Sequence, residues 1–441
     1  MTSMTRALLG ATALCALSLP ALAQETTTLT IATVNNGDMV RMQGLTDDFA
    51  AQHPEIELEW VTLEENVLRQ NVTTDIATNG GQYDVITIGT YEVPIWAKQG
   101  WLVALDDLPA EYNVDDLLPS IRAGLSSEDT LYAVPFYGES SFVNYRTDLA
   151  EAAGITIPDE PTWDDIKAAA AAMHDPDNGV YGVCLRGKPG WGENVAFLTT
   201  MANSYGARWF DENWQPQFDS PEWKAVLTDY IDLLTNYGPP GPTSNGYNEN
   251  LTLFLQGQCA LRIDATVSGS ALVDPNQSTV ADKVGFTLSP DAGLGKRANW
   301  LWAWALAIPS SSDAPDAAKT FLAWATGPEY ANLVAEREGI ANVPPGTRTS
   351  LYENPDYLAA APFAQMTIDS INAADPTAPT VEPVPYTGVQ FVAIPEFQGL
   401  GTEVGQIFSD ALAGNKTVDE ALAEAQAVAT QTMTEGGYIT Q

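Results

Sequence analysis

The chain has 441 residues, 57 acidic against 19 basic side chains, and a formal net charge of −38. Such a surface repels nucleic acid and anionic lipid head groups, which both require basic patches, and it favours solubility in an exposed compartment. An apolar content of 45% supplies buried cores and argues against disorder.

Arg6 is the lone basic residue ahead of a small-apolar stretch from Ala7 to Leu19; Pro20 breaks it, and Ala21-Leu22-Ala23 gives an A-x-A site before Gln24. This pattern predicts a cleaved secretory signal peptide over residues 1–23, with a buried core helix as the alternative. Cys15 follows Leu14 inside the apolar run, so no lipid anchor is expected. No later segment offers the ~18 uninterrupted apolar residues of a membrane span, so export without membrane insertion is expected. The remaining chain suggests two or three domains at about 150 residues each.

The next elements alternate. Thr28–Val34 reads as a strand and Met39–Gln52 as a helix whose apolar face holds Val40, Met42, Leu45 and Phe49, stopped by His53-Pro54. Ile56–Leu63 is the next strand, Glu64–Thr78 a helix closed by Asn79-Gly80-Gly81, and Tyr83–Ile88 a third strand. This rhythm predicts a parallel sheet between helices, with ligand outside the carboxyl ends of the strands. Those ends carry Asn35-Asn36, Glu64-Glu65 and Thr90-Tyr91.

A second alternating region begins near Phe142. Thr162 and Asp165 have capping-box spacing before a helix over Trp163–Met173, and Thr417 and Glu420 repeat it before the last long helix. Val180–Leu185 and Ala260–Ile263 read as short buried strands, and Pro221–Tyr237 and Tyr247–Leu255 as helices. Trp300–Pro309 reads as a strand too uniformly apolar for a half-exposed edge, followed by helices over Ala314–Thr326 and Pro328–Glu336. Two cysteines survive leader cleavage, Cys184 and Cys259. In an oxidising compartment they are a candidate disulfide; two separate buried thiols are the alternative. Two thiolates cannot form a zinc cage, and no metal site or cofactor is expected.

Several motifs lie in order along the chain: Tyr83-Asp84-Val85-Ile86 before Thr90-Tyr91; Gly100-Trp101-Leu102-Val103-Ala104-Leu105-Asp106; Tyr132-Ala133-Val134-Pro135-Phe136 leading to Glu139 and Asn144-Tyr145-Arg146; Pro161-Thr162-Trp163-Asp164-Asp165; Trp304-Ala305-Leu306-Ala307-Ile308-Pro309 before Ala318-Lys319-Thr320-Phe321-Leu322; and Thr417-Val418-Asp419-Glu420-Ala421-Leu422. Together they resemble the extracellular solute-binding proteins of ABC importers, in the group that includes maltose-binding protein. Leu185-Arg186-Gly187-Lys188-Pro189-Gly190-Trp191-Gly192-Glu193 and Ile263-Asp264-Ala265-Thr266 look most like its sorbitol- and mannitol-binding subgroup. The resemblance implies an α/β fold of two lobes, each a mostly parallel sheet flanked by helices. Lobe one is expected over 24–137 plus 306–345, and lobe two over 142–300 plus 350–441. Hinge segments are expected near 136–143, 301–307 and 342–352. It also implies a periplasmic monomer that delivers a polyol, or a related sugar or oligosaccharide, to an inner-membrane ABC permease.

Such ligands need carboxylates, amides and guanidinium groups for their hydroxyls and flat aromatic surface for their C–H faces. The resemblance nominates Glu64, Glu65, Glu139 and Asp264; a helix-start charge is the alternative for the first two and a cap for Asp264. Asn35, Asn36, Thr90 and Tyr91 are candidates from the strand ends, with turn formation as the alternative for the asparagines. Tyr137 near the first crossing is a further candidate. Arg186 and Lys188 are rare cations in this chain, suited to hydroxyls or to surface ion pairs. Trp191 sits between glycines in a loop, which favours ligand contact over core packing. Trp300, Trp302 and Trp304 share one strand face by period two; Trp302 is the preferred stacking ring, with Trp300 beside it, and Trp304 is expected in the core. Gln390 and Phe391 are the C-terminal candidates.

Enzymatic readings are weak. His53 and His174 look like helix-end residues, and neither a Gly-x-Ser-x-Gly elbow nor a P-loop is present. Asp175-Pro176-Asp177-Asn178-Gly179 lacks the rest of a calcium loop and reads as a turn. A glycosidase would need two carboxylates about 5–9.5 Å apart, for which Glu64 and Glu139 could be nominated. An adhesion protein fits the alternating rhythm poorly.

Overall fold

The computed structural model describes residues 26–440, so the expected signal peptide and Cys15 lie outside the described residues. Strands β1 (Thr27–Val34), β2 (Ile56–Leu63) and β3 (Val85–Gly89) pair in parallel in the order β2-β1-β3. Helices α1 (Gly37–Gln52) and α2 (Glu65–Thr78) connect them. Met39, Met42, Leu45 and Phe49 of α1 are buried, the three-to-four spacing of one helix face. Every residue of β3 is buried, as a central strand with both faces covered requires.

After helix α3 (Glu92–Lys98) and a small hairpin of β4 (Ser126–Ser127) and β5 (Thr130–Leu131), β6 (Ala133–Glu139) reaches the edge of this first sheet. Between β3 and β6 runs β11 (Trp302–Ala307), antiparallel to both. A second sheet has the order β10-β7-β9-β8: β7 (Ser141–Arg146), β8 (Tyr181–Cys184), β9 (Cys259–Ala265) and β10 (Val284–Leu288). Only β8 and β9 pair in parallel there, which departs from the expected mostly parallel sheet. The reason is directional. Strands from βα units end at the space between the sheets, whereas β7 and β11 enter from a crossing and run away from it.

The chain passes between the sheets at Ser140, between β10 and β11, and again around Pro345. There Gly138 N donates to Pro345 O at 2.9 Å. A Cβ on Gly138 would lie 2.1 Å from Gly346 O, and one on Gly346 would lie 1.9 Å from Gly138 O. The two crossings therefore touch backbone to backbone, which only glycine allows.

Both expected capping boxes are present, Thr162 with Asp165 and Thr417 with Glu420. Two long helices were not foreseen. Asn194–Ser204 is buried at every position and so carries no apolar periodicity. Phe397–Leu412 contains Gly399, Gly401 and Gly405, which lower helix propensity. They pack together, and Asn194 Nδ2 donates to Gly405 O at 2.8 Å. Cys184 and Cys259 are joined as a disulfide. Among the described residues no helix is long and apolar enough to cross a membrane.

Candidate functional site

Between the two sheets lies a narrow cavity lined by residues from both sides. On the first-sheet side, Asn36 is the N-cap of α1, and its Nδ2 donates to the buried Tyr137 hydroxyl at 2.8 Å. Glu65 opens α2, one turn before Arg69. Its Oε1 accepts from Arg69 Nε at 3.1 Å and Nη2 at 3.0 Å, while Arg69 Nη1 donates to Glu92 Oε1 at 2.7 Å. Glu92 is itself fixed, accepting from Gly89 N at 2.9 Å. The Arg69 guanidinium stands 4.0 Å from the Trp191 ring, 4.6 Å from Trp304 and 5.0 Å from Trp302, a cation held by three aromatic faces and two carboxylates. The Trp302 indole lies where a Cβ on Gly89 would be, 2.0 Å from its Cζ2, so glycine at that strand end makes room for the ring.

On the second-sheet side, Arg186 Nη2 donates to Asp264 Oδ1 at 2.6 Å, its Nε to both Asp264 oxygens at 3.1 Å, and its Nη1 to Gly192 O at 2.8 Å. Burial would raise the Asp264 carboxyl, but Arg186, Arg262 and the Ala265 N–H outweigh it and hold its pKa below the ordinary value. Glu193, buried beneath Gly192, accepts from Tyr247 N at 3.2 Å. Burial and the nearby Glu65 push its pKa up to about 8, against Arg186 and Lys188.

Glu139 ends β6 and faces the cavity, 6% exposed. Burial raises its pKa to about 8 against the pull of Arg186, with Asp264 and Glu65 adding to the rise. Trp191, Trp300 and Trp302 each line the cavity with an indole N–H that has no hydrogen-bond partner. The arrangement thus offers unpartnered donors, a carboxyl and flat apolar walls in one cleft.

Of the candidates read from sequence, Asn36, Glu65, Glu139, Arg186, Trp191, Trp300, Trp302 and Gln390 line this cavity. Gln390 exchanges hydrogen bonds with the backbone of Leu301, N–H to Oε1 at 3.2 Å and Nε2 to O at 3.0 Å. The others stand back from it. Asp264 is fully buried behind Arg186, and Tyr137 behind Asn36. Glu64 caps α2, accepting from Asn66 N at 3.1 Å, and pairs with Lys188 Nζ at 2.6 Å. Asn35 Oδ1 accepts from Asn248 Nδ2 at 3.3 Å at an exposed position. Thr90 is buried against Gly124. Tyr91 donates its hydroxyl to Ile394 O at 3.0 Å and packs on Phe391, ring centroids 5.5 Å apart.

Trp304, expected in the core, lines the cavity as well. Arg69 and Tyr247 were missed. A signal for Arg69 existed: it sits four residues after Glu65 and therefore on the same helix face. Tyr247 had none beyond its place at a helix start.

The profile of the bacterial extracellular solute-binding protein family matches residues 36–332. The chain is 57% identical over 422 residues to a mannitol-binding protein of Pseudomonas aeruginosa, covering 96% of this chain and 97% of that one. A solute-binding protein of an ABC transporter from Agrobacterium vitis S4, solved with bound D-mannitol, superposes with a TM-score of 0.93 at 63% identity, covering 93% of this chain and 99% of its own. One from Agrobacterium radiobacter K84 in complex with ribitol superposes with a TM-score of 0.82 at 25% identity, covering 92% and 99%.

Proposed function

The chain belongs to the family of bacterial extracellular solute-binding proteins, and on that premise we propose that it captures one linear polyol, of the mannitol or sorbitol kind, and delivers it to the permease of an ABC importer. The observation that carries this reading is the cavity wall: three unpartnered indole N–H donors, the Glu139 carboxyl and the Trp faces around them. Hydroxyls of a polyol suit those donors and acceptors, and its C–H edges suit the rings. The mannitol named for the Pseudomonas aeruginosa and Agrobacterium vitis proteins supports the same class.

In this reading lobe one comprises 24–137 with 306–345 and lobe two 142–300 with 350–441. They hinge near 136–143, 301–307 and 342–352, and ligand contacts split between the lobes favour the closed state. The protein works as a periplasmic monomer after cleavage between Ala23 and Gln24, without catalysis. A hydrolytic pair of Glu64 and Glu139 finds no support, because Glu64 caps α2 and pairs with Lys188 outside the cavity lining.

A thermal-shift panel of hexitols, pentitols, monosaccharides and maltodextrins tests the proposal. Stabilisation by hexitols above the others is the expected result; stabilisation by maltodextrins alone overturns it.

A further inference from the structure

The charges around the cavity are not evenly matched. Arg186 is engaged by Asp264 at 2.6 Å and by the Gly192 carbonyl, and Glu193 lies 3.6 Å from it. Arg69 is engaged by Glu65 at 3.0 Å and Glu92 at 2.7 Å. Each guanidinium charge is therefore already paired with carboxylate inside the protein. Among the described residues no ion pair reaches the Glu139 carboxyl, whose neutral neighbour is the Trp300 indole N–H. The one ionisable group that lines the cavity without an ion-pair partner is thus an acid. We propose that this cleft takes amino-alditols, polyols carrying a protonated primary amine, with the ammonium paired to Glu139, and that it rejects alditol acids and phosphates. The proposal rests on the polyol reading of the same site.

A neutral polyol brings no countercharge to Glu139, so the buried carboxyl keeps its proton. An ammonium supplies one and gives a charge-assisted hydrogen bond, stronger than a neutral one. An added carboxylate or phosphate meets Glu139 while Arg69 and Arg186 are already engaged, so it is buried without compensation. The groups that face Glu139 are Arg186, Asp264 and Glu65, with Tyr137, Tyr247 and Arg262 close enough to interact with it. Empty, Glu139 holds its proton up to about pH 8. Pairing with an ammonium drives that proton off, so below pH 8 amine binding releases a proton and tightens as pH rises. Glu193 titrates in the same range, and replacement of Glu139 distinguishes the two.

The test is calorimetric titration of the ligand-free protein with sorbitol, glucamine, gluconate and a hexitol phosphate, at pH values below and above 8 and in buffers of different ionisation enthalpy. Glucamine is expected to bind with release of about one proton below pH 8, its affinity rising up to about tenfold per pH unit. Sorbitol is expected to release none, and the two anions to bind about a hundredfold more weakly than sorbitol. In Glu139→Gln the ratio of glucamine to sorbitol affinity should fall about tenfold or more. If sorbitol binds while glucamine does not, or glucamine binds without proton release, the proposal is overturned and the polyol reading stands. If none of the four binds, the polyol reading itself fails.

Discussion

Lys188 Nζ lies 2.6 Å from Glu64 Oε1, so the loop leading to Trp191 is tied by charge to the N-cap of α2 across the gap between the two sheets. Asn66 Nδ2, donating to Pro189 O at 3.3 Å, and Thr73, hydrogen-bonded to Gln398 at 3.2 Å, lie along the same rim. These contacts join the lobes directly and involve no residue of the cavity wall. If the lobes close on ligand as proposed, these contacts bias that equilibrium by themselves, and apparent affinity scales with the closed fraction.

Lys188→Gln is therefore expected to weaken hexitol binding two- to fivefold with little change in Tm, since a partly exposed pair contributes about 0.2–1 kcal/mol. Preference among hexitols should stay as in the wild type, and the wild-type advantage should shrink with added salt. Calorimetry at low and high ionic strength checks this. Unchanged affinity at low salt would remove Lys188 from the account of closure.

Asp264 and Trp302 act differently. Asp264 is fully buried between Arg186 and Arg262, so Asp264→Ala leaves buried guanidinium charge unmatched and should cost about 3–5 kcal/mol of stability along with binding. Trp302→Ala removes a ring packed on Trp191, Trp304 and Phe391 at centroid distances of 5.9, 5.5 and 6.0 Å. It should lower both Tm and affinity, the latter by tenfold or more from a lost donor and ring face (about 1.4 kcal/mol or above). Parallel melting and titration of each variant is the check. Early melting with wild-type affinity would move the ligand away from these residues.

Stability of the ligand-free protein should also follow pH through Glu139 and Glu193. Their folded pKa values, about 8, stand above the ordinary 4.5. A raised carboxyl favours the folded state while protonated, so this contribution is full below 4.5 and is lost as pH rises through about 8. Asp264 works in the opposite sense, its depressed pKa adding stability above 3.8 that is lost in stronger acid. Tm of the ligand-free protein is expected to fall between about pH 5 and pH 8, and Glu139→Gln should flatten that slope. A Tm rising steadily across that window contradicts the assignment.

The Cys184–Cys259 bridge lies at the end of β8, two residues before Arg186, and at the start of β9, which carries Asp264. A Cys184→Ser, Cys259→Ser double variant should lose about 2–4 kcal/mol. Alkylation of unreduced protein should add no mass; two alkyl groups per chain would show that the thiols are free.

The parts legible in sequence were those written locally. The β1-α1-β2-α2-β3 run follows from alternation of apolar periods, and the boxes at Thr162 and Thr417 from spacing alone. The site was only half legible because its roles depend on tertiary neighbours. Glu64 and Glu65 are adjacent, yet the phase of α2 turns one to its own helix start and the other to Arg69. The fate of Arg69 depends on Glu92, Trp191 and Trp304, which no local pattern links to it. The antiparallel course of β7 and β11 follows from where the chain crosses between the sheets, which hydrophobic periodicity does not encode.

The central claim is that the cavity beside Glu139 and Trp302 is a polyol site, and isothermal titration of ligand-free protein with mannitol and sorbitol tests it most directly. The account predicts saturable binding of one hexitol per chain that weakens tenfold or more in Trp302→Ala. Absence of hexitol binding to folded wild-type protein, or hexitol affinity unchanged in Trp302→Ala, would contradict it.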